Sequence, residues 1–354
     1  MRIELGSEFD LSPNDFKIKT NNLWGYMKEY EVQWYDSGRS AIKAIAYSKE
    51  KKVLLPEYIC ESVIRCFSES RVLFYRITEN FDIDEEDILA KLDENVGVVY
   101  VCHYFGFVQR ETLMKKIRDR AVQVKAVFVE DTTQSFFSGQ NLIGDLGVMS
   151  IRKWMTVSQG GVLYAKRPGM LDEERYQSLG KSFHNERTLG MMLKNIFLRG
   201  VCDTNQIYRS IFERYEEELD KKTTIEKMSD LADLQMQCVD ISEMIKKRKE
   251  NARYLTKALE RMNIKCIKRY DERECPFAFP MRVSNRDSFR NYLIKNQIYC
   301  AVHWPVDEFM TEEREQAKCN AEQLISLPID QRYGEMELDY MIETIGKYGR
   351  DLSF

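Results

Sequence analysis

The stretch V-G-V-V-Y-V-C-H, at Val96–His103, is an almost unbroken apolar run bounded by polar residues. Such a run is typical of a central strand that is buried on both faces of a parallel sheet. Similar runs rich in Val, Tyr or Phe occur at Val53–Leu55, Val72–Tyr75 and Val124–Asp131. Helical patterns separate them, at Ser40–Tyr47, Glu57–Ser68, Asp84–Leu92 and Arg110–Arg120. This alternation predicts an α/β domain of three layers, with helices on both faces of a mostly parallel sheet.

The pattern of the chain changes over residues 180–227, where strand signals become sparse and charged helical segments such as Gln206–Lys221 follow. One amphipathic helix is predicted over Leu231–Leu259. The remainder alternates again, with strands predicted at Ile264–Ile267, Phe277–Val283 and Ile298–Val302 and helices at Asp287–Asn296 and Glu335–Lys347. We therefore expect two domains: a large one over 1–235, which includes the divergent helical segment 180–227, and a smaller C-terminal α/β domain over 236–354.

The composition excludes several classes of function. The 354 residues include 53 Lys and Arg against 57 Asp and Glu, so the chain lacks the basic field of a nonspecific nucleic-acid-binding protein. Met1–Ser12 lacks the pattern of a signal peptide, and no uncharged apolar run is long enough for a transmembrane helix. The nine cysteines form no C-x-x-C pair, which favours reduced thiols over metal ligands or disulfides. We therefore expect a cytoplasmic protein that binds no nucleic acid, membrane or metal.

Polar residues at the carboxyl ends of the predicted strands are the first candidates for a site, because ligands of open α/β sheets bind there. They are His103, Asp131 with Gln134, and the segment Ser150–Gly161. His103 and His303 both follow apolar runs, and each either lines the cleft or is a hydrogen-bonded histidine of the core.

The sequence Ser37-Gly38-Arg39-Ser40 precedes a predicted helix. A glycine turn at a helix start leaves backbone N–H groups free, and together with the positive end of the helix dipole they suit a phosphate. An ordinary helix N-cap has the same pattern, because serine is also the expected residue there. The turn alone does not separate these two interpretations.

Asp131 and Lys153 offer two further reactive groups. Asp131 ends an apolar run, where a partly shielded carboxylate requires a cation or a protonated ring nitrogen; an ordinary helix cap or loop acid is the alternative. Lys153 follows Ser150 in a loop, and a lysine desolvated beside a second cation, here Arg152, can lose its proton and form a Schiff base. With the phosphate turn, these groups supply what pyridoxal phosphate requires, since the aspartate keeps its pyridine ring protonated.

The order of the motifs resembles the DegT/DnrJ/EryC1/StrS family of fold-type I, pyridoxal-phosphate-dependent aminotransferases, often called sugar aminotransferases. D-S-G-R-S-A-I at Asp36–Ile42 is similar to the family's S-G-T-x-A-L phosphate turn, and V-E-D-T-T-Q-S at Val129–Ser135 to its E-D-A-A-Q-A. G-D-L-G-V-M-S at Gly144–Ser150 resembles G-D-x-G-x-F-S, and the family's spacing from lysine to a Gly pair is kept from Lys153 to Gly161. Other similar segments are V-L-L-P-E-Y at Val53–Tyr58, C-H-Y-F-G at Cys102–Gly106, M-S-D-L at Met228–Leu231, V-H-W-P-V at Val302–Val306 and L-I-S-L-P-I at Leu324–Ile329.

The resemblance implies a catalytic Lys153, which forms the imine with the cofactor and carries protons. It implies that Asp131 binds the pyridine nitrogen and Gln134 the ring face or its hydroxyl group. The complete implied cofactor-binding set is Gly38, Arg39, Ser40, Tyr58, His103, Asp131, Gln134 and Ser150. The resemblance also implies a homodimer with active sites at the subunit interface, an amino-acid donor such as glutamate, and a keto acceptor such as a nucleotide-linked keto sugar.

The sequence departs from the family pattern in four places. Arg39 stands where the family usually has threonine, and the segment Ser150–Lys153 is two residues shorter than the common S-F-H-x-x-K. Either Tyr58 or Cys60 occupies the place of the residue that covers the cofactor ring. The R-N-H-G and G-x-N-x-R-M elements that help to bind substrate are missing from the divergent segment.

Two other functions therefore remain open. The first is a pyridoxal-phosphate enzyme of another reaction type, such as a sugar dehydratase, in which histidine replaces the lysine; the presence of Lys153 argues against it. The second is a degenerate relative that binds or regulates without catalysis. The missing substrate motifs favour it, and the retained Asp131, Gln134, Ser150 and Lys153 oppose it.

Overall fold

The computed structural model describes residues 2–67, 70–139, 141–172, 178–179, 183–305 and 314–348. The strands of the large sheet are β1 (Glu31–Tyr35), β2 (Lys52–Pro56), β3 (Val72–Tyr75), β4 (Val96–Cys102), β5 (Val127–Asp131), β6 (Leu146–Ser150), β7 (Gly161–Ala165), β8 (Ser178–Leu179) and β9 (Glu226–Lys227). They lie in the order β3-β2-β4-β5-β6-β7-β1-β9-β8. The pairs from β3 to β6 are parallel, whereas β7 pairs antiparallel with both β6 and β1. The predicted mostly parallel α/β sheet is thus confirmed.

Twelve α-helices lie in the described part of the chain. They are α1 (Leu23–Met27), α2 (Gly38–Lys43), α3 (Glu61–Cys66), α4 (Glu85–Lys91), α5 (Glu111–Val124), α6 (Phe183–Leu198), α7 (Asn205–Lys221), α8 (Asp230–Gln237), α9 (Ile241–Arg261), α10 (Arg286–Lys295), α11 (Glu315–Gln323) and α12 (Glu335–Tyr348). The divergent segment forms α6 and α7, which pack against each other. No helix among the described residues is long and apolar enough to cross a bilayer.

Strand β4 is an interior strand of the sheet, and every one of its residues is buried. It lies between β2 and β5, and its register with β5 sets Cys102 opposite Asp131. Because parallel strands end at the same edge, the residues that follow β4, β5 and β6 meet there. This register places the polar loop residues in one cleft.

Several predicted elements differ from those observed. The helix predicted over Leu231–Leu259 is two helices, because the Asp240 carboxylate accepts a hydrogen bond from the amide of Glu243 and caps a new helix start. Val124 ends α5 instead of beginning β5, since Lys125 adopts a left-handed conformation that stops the helix. The strands predicted at Ile264–Ile267 and Ile298–Val302 are absent from the observed sheets; in the second, Ile298 and Ala301 make only isolated bridges.

A second, two-stranded sheet is formed by the antiparallel pair β10 (Phe279–Arg282) and β11 (Leu324–Leu327). Its core includes side chains of α9, α10 and α12, together with Leu5 from the start of the chain. Leu5 also bridges to Ile298. The domain boundary predicted after residue 235 falls inside α8 (Asp230–Gln237), and the division into domains 1–235 and 236–354 stays a prediction.

Gly161 begins β7 where that strand passes the first turn of α2. A Cβ atom on Gly161 would lie 2.0 Å from the Ser37 carbonyl oxygen and 2.5 Å from the Gly38 nitrogen. Both are backbone atoms, which cannot move aside as the end of a flexible side chain can. The contact requires glycine and fixes the spacing between β7 and the α2 turn.

We expect Gly161→Ala to lower the free energy of unfolding by about 3 kcal/mol or more, because the added methyl group overpacks a backbone contact. Urea unfolding of both proteins measures the difference. The matched control is Gly25→Ala in α1, where the nearest atom to the added Cβ is 3.7 Å away, and it should change stability by less than about 1 kcal/mol. Equal stabilities for the two variants would contradict this explanation.

Candidate active site

A cavity of about 210 Å³ opens at the carboxyl ends of β4, β5 and β6. Of the sequence-predicted residues, the structure brings seven to its wall: Gly38, Arg39, His103, Asp131, Gln134, Ser150 and Lys153. The apolar side chains of Ile59, Val63, Leu219 and Trp304 complete much of the remaining wall. Two predicted residues, Ser40 and Tyr58, do not line the cavity.

Asp131 ends β5 with its carboxylate almost completely buried. One oxygen accepts a hydrogen bond from the Tyr100 hydroxyl at 2.9 Å, and the other accepts one from the Thr133 amide at 2.9 Å. Both donors are neutral, and no ion pair joins Asp131 to another described residue. A carboxylate held in this way is suited to pair with a positively charged or protonated ring nitrogen.

Lys153 ends the 3₁₀ turn Ile151–Lys153 that follows β6 directly. Its ammonium group makes no hydrogen bond or ion pair with any residue in the described ranges. Lys153 lines both the main cavity and a second cavity, which His303 also lines. The lysine is therefore available to a ligand from two cavities.

Gln134 makes one hydrogen bond and leaves a second group unpaired. Its Oε1 accepts a hydrogen bond from the Phe105 amide at 2.7 Å, which fixes the orientation of the side chain. Its Nε2 is buried and has no hydrogen-bond partner among the described residues. An unpaired buried donor is costly, so this amide fits an acceptor oxygen supplied by a ligand.

His103 is held by hydrogen bonds on both ring nitrogens. Nδ1 accepts the Gln109 amide at 3.1 Å, so Nε2 carries the proton and donates it to the Glu130 carboxylate at 3.0 Å. Glu130 also accepts hydrogen bonds from the amides of Ile143 and Gly144. The imidazole is thereby fixed as a neutral ring on the cavity wall.

The predicted phosphate turn begins α2, where the Ser37 hydroxyl caps the helix by accepting the Ser40 amide. A Cβ atom on Gly38 would lie 3.1 Å from the Ser150 Cβ, so the turn packs closely on the end of β6. The amides of Gly38 and Arg39 belong to the first helical turn, which has no carbonyl partner within the helix. The turn and the Ser150 hydroxyl together form a small set of anion-binding donors.

The Ser40 side chain does not line the cavity, and its role in holding the phosphate stays a prediction. Its hydroxyl donates to Asp36 at 2.6 Å, because the fully buried Asp36 carboxylate requires donors. Asp36 also pairs with Lys222 and lies 3.2 Å from the His184 ring. The Lys222 ammonium also forms an ion pair with Glu226. Lys222 is therefore the cation that balances the buried carboxylates of Asp36 and Glu226.

Tyr58, one of the two residues predicted to cover the cofactor ring, does not line the cavity. It is fully buried in a cluster with Phe81, Tyr104 and Trp304, because it follows β2 on the side facing the core. Cys60, the alternative at this position, lines the cavity instead. No side-chain pattern in the sequence distinguishes which of the two positions faces inward.

Arg39 and Arg152 reach the cavity but are both paired with acids of α7. An Arg39 Nη atom lies 2.6 Å from Asp220, and its other Nη is buried without a hydrogen-bond partner among the described residues. Arg152 binds Glu216 through two hydrogen bonds of 2.6 and 3.0 Å. Glu216 lines the cavity and was missed by sequence reasoning, because the divergent segment contains no recognisable site motif.

Residues 41–346 match the sequence profile of the DegT/DnrJ/EryC1/StrS aminotransferase family. The chain belongs to this family. Membership confirms the predicted enzyme class, a pyridoxal-phosphate-dependent aminotransferase, and the predicted cofactor. A search of curated proteins found no match to the chain.

Solved structures of the family confirm the fold-type I fold. Spr1654 from Streptococcus pneumoniae in its PLP form is 14% identical, with a TM-score of 0.66 over 99% of this chain and 94% of that chain. The sugar aminotransferase CalS13 from Micromonospora echinospora is 15% identical, with a TM-score of 0.64 over 97% and 94% of the two chains. NtdA from Bacillus subtilis, solved with the cofactor PMP, is 15% identical, with a TM-score of 0.65 over 96% and 78%.

The residues of the cavity fit the family's cofactor. Gln134 Nε2 is an orphaned buried donor, and Asp131 is a buried carboxylate with only neutral partners. A Cβ atom on Gly38 would make a tight contact with Ser150, so a glycine leaves more room at this turn. Lys153 supplies the only amine among the cavity-lining residues that the structure describes.

His303 gives the site a pH-dependent contribution to stability. Burial and then the positive charge of Lys153 lower the pKa of His303 from 6.5 to about 3. Between these two values the unfolded chain binds a proton that the folded protein excludes. Stability therefore rises with pH across that window, and this contribution is complete above pH 6.5.

We expect His303→Gln to reduce the slope of unfolding free energy against pH between 4 and 6, by up to about 1.4 kcal/mol per pH unit. Urea unfolding at several pH values measures the slope. The control is Ser326→Ala, which removes the hydroxyl that lies 2.8 Å from His303 Nδ1 but leaves the titrating ring. A wild-type slope in His303→Gln would contradict the assignment.

Proposed function

We propose that this protein transfers an amino group from an amino acid, glutamate, to a keto substrate, for which a nucleotide-linked keto sugar is the favoured class. One observation carries the proposal: Lys153, Asp131, Gln134 and Ser150 converge on a single cavity of about 210 Å³. CalS13 is a sugar aminotransferase of similar fold, and this likeness supports a sugar as the class of acceptor.

The residues of the cavity have separate proposed roles. When bound, pyridoxal phosphate supplies a reactive carbonyl group and a ring that accepts negative charge. The Asp131 carboxylate holds a proton at the ring nitrogen, and Gln134 Nε2 donates to an oxygen of the ring. The imidazole face of His103 and the Cys60 thiol line the space for the ring.

Lys153 is the proposed catalytic residue. Its Nζ is the amine of the cavity that would hold pyridoxal phosphate by its carbonyl group. As a free amine, Lys153 Nζ would act as the general base that accepts the proton from the carbon bearing the donor's amino group, and as the general acid that gives this proton up again. The apolar side chains of Leu219 and Trp304 help to exclude water while the proton moves.

The phosphate is proposed to bind at the start of α2. The amides of Gly38 and Arg39, the Ser150 hydroxyl and the unpaired Nη of Arg39 are its donors. The Ser40 hydroxyl acts indirectly, since its bond to Asp36 holds the turn in position.

Three further parts of the proposal concern the whole molecule. We propose a homodimer with active sites at the subunit interface, a cytoplasmic location, and a division between domains near residue 235. The free state of all nine cysteines supports a reducing compartment. The separate core of β10, β11 and α12 supports the division into domains.

We expect the purified protein with pyridoxal phosphate to have visible absorbance that borohydride bleaches, and Lys153→Ala to lack it. The matched control is Lys166→Ala, an exposed lysine just after β7, which should keep the wild-type spectrum. Mass spectrometry after reduction should locate the cofactor on Lys153. An unchanged spectrum in Lys153→Ala would contradict the proposal.

We expect Asp131→Asn to slow the glutamate half-reaction at least about 100-fold, because a neutral amide no longer holds the ring proton by charge. Conversion of the cofactor to its amine form, followed by absorbance, measures this rate. Asp145→Asn is the control, since Asp145 pairs with Arg118 outside the cavity. A glutamate-dependent conversion supports transamination, whereas its absence in the wild-type protein would favour another reaction.

A further inference from the structure

The ion pair between Arg152 and Glu216 stands where two cavities meet. Both residues, and Lys153 with them, line the main cavity and also the second cavity of about 320 Å³. The pair has the geometry of a planar guanidinium that binds both oxygens of one carboxylate, at 2.6 and 3.0 Å. A carboxylate thus already occupies this position next to the reactive lysine.

The second cavity carries an excess of positive charge. Its ionic lining consists of four cations and three carboxylates: Arg152, Lys153, Arg248 and Arg332 against Glu8, Glu216 and Asp330. Arg332 and Asp330 form their own ion pair. Arg248 donates only to carbonyl and amide oxygens. An anionic ligand would therefore be attracted into this space.

Glu216 has a second cation within reach. Arg187 is buried on α6, and its Nη1 lies 3.7 Å from the Glu216 carboxylate. Nη1 and Nε of Arg187 make no hydrogen bond with any described residue, while its Nη2 binds Glu8. If Glu216 leaves Arg152, it can therefore keep an ionic partner.

We propose that Arg152 recognises a carboxylate group of the amino donor, and that Glu216 occupies its place when no donor is bound. This inference rests on the proposed function, in which the donor is an amino acid. The exchange replaces one carboxylate on Arg152 by another, so the guanidinium never becomes unpaired. Because Arg152 and Lys153 line the same two cavities, a donor bound to Arg152 lies in the space that the lysine also reaches.

The observations favour a carboxylate over a phosphate at this position. A guanidinium fork matches both carboxylate and phosphate, but the group that Arg152 now binds through two hydrogen bonds is a carboxylate. The proposed phosphate donors lie instead at Gly38 and Ser150, on the α2 side of the main cavity. The remaining alternative is that the Arg152–Glu216 pair only ties α7 to the turn that carries Lys153.

The experiment titrates the pyridoxal-phosphate-loaded protein with glutarate, a dicarboxylate that has no amine and cannot react. We expect Arg152→Met to weaken glutarate binding at least about tenfold, with Arg152→Lys intermediate, because two charge-assisted hydrogen bonds are lost. Isothermal titration calorimetry measures the binding constant independently of turnover. Thermal unfolding of each variant checks that it folds.

The effect of Glu216→Gln on glutarate binding distinguishes a competing carboxylate from a purely structural ion pair, because the two predict changes of opposite sign. If Glu216 competes with the donor, the substitution should tighten glutarate binding by about three- to tenfold. If the pair is only a structural tie, binding stays the same or weakens, and the proposal is overturned. The control is Glu186→Gln, which removes the ion pair of Glu186 with Arg214 between α6 and α7 and should leave glutarate binding unchanged.

The failure of this inference is distinguishable from failure of the proposed function. If glutamate does not convert the cofactor but glutarate binding changes with opposite sign in Arg152→Met and Glu216→Gln, the carboxylate site stands and the reaction is different. If glutamate converts the cofactor but Glu216→Gln does not tighten glutarate binding, the reaction stands and the carboxylate site is overturned.

Discussion

The buried carboxylate of Asp131 is the constraint on which the organisation of the site depends. It lies at the end of a strand with a hydroxyl and an amide as its hydrogen-bond donors, and no cation pairs with it among the described residues. A charge in such a position is costly unless a ligand compensates it. The strand register that fixes Asp131 also aligns β4 and β6, so the same edge of the sheet presents His103, Ser150 and the turn of Lys153. Protein stability and ligand binding are therefore coupled at this carboxylate.

The fold and much of the cavity wall could be predicted from local sequence, because buried strands and helices show periodic patterns of apolar residues. The run that became β4 is apolar throughout since both faces are covered, and Asp131 and Ser150 follow from the rule that strand ends face the ligand. Ser40 shows the limit of this reasoning. Its direction is decided by Asp36, whose charge is balanced by Lys222, far away in sequence. Tyr58 and Cys60 show another limit, since both follow the same strand and only packing selects the one that faces the cavity.

The divergent helices α6 and α7 could be predicted as helical but not as part of the site. Amphipathic periodicity reports that one face is buried, yet it does not report what that face covers. In the structure, α7 carries Glu216 and Leu219 to the cavity wall, and Asp220 to Arg39. Just after α7, Lys222 forms an ion pair with Asp36, which precedes the α2 turn in the chain. The missing substrate motifs are therefore accompanied by a different set of charged side chains at the same cavity.

The first ten residues have a consequence for the order in which the molecule can be completed during synthesis. Leu5 packs in the core of the second sheet and bridges to Ile298, and Glu4 pairs with the buried Lys194. Leu5 leaves the ribosome long before Ile298 does, so it must wait without this partner while most of the chain is made. Gly6–Phe9 form one wall of the second cavity. Because Tyr299, Ala301 and His303 line the same cavity, it cannot be complete until that part of the chain has been made.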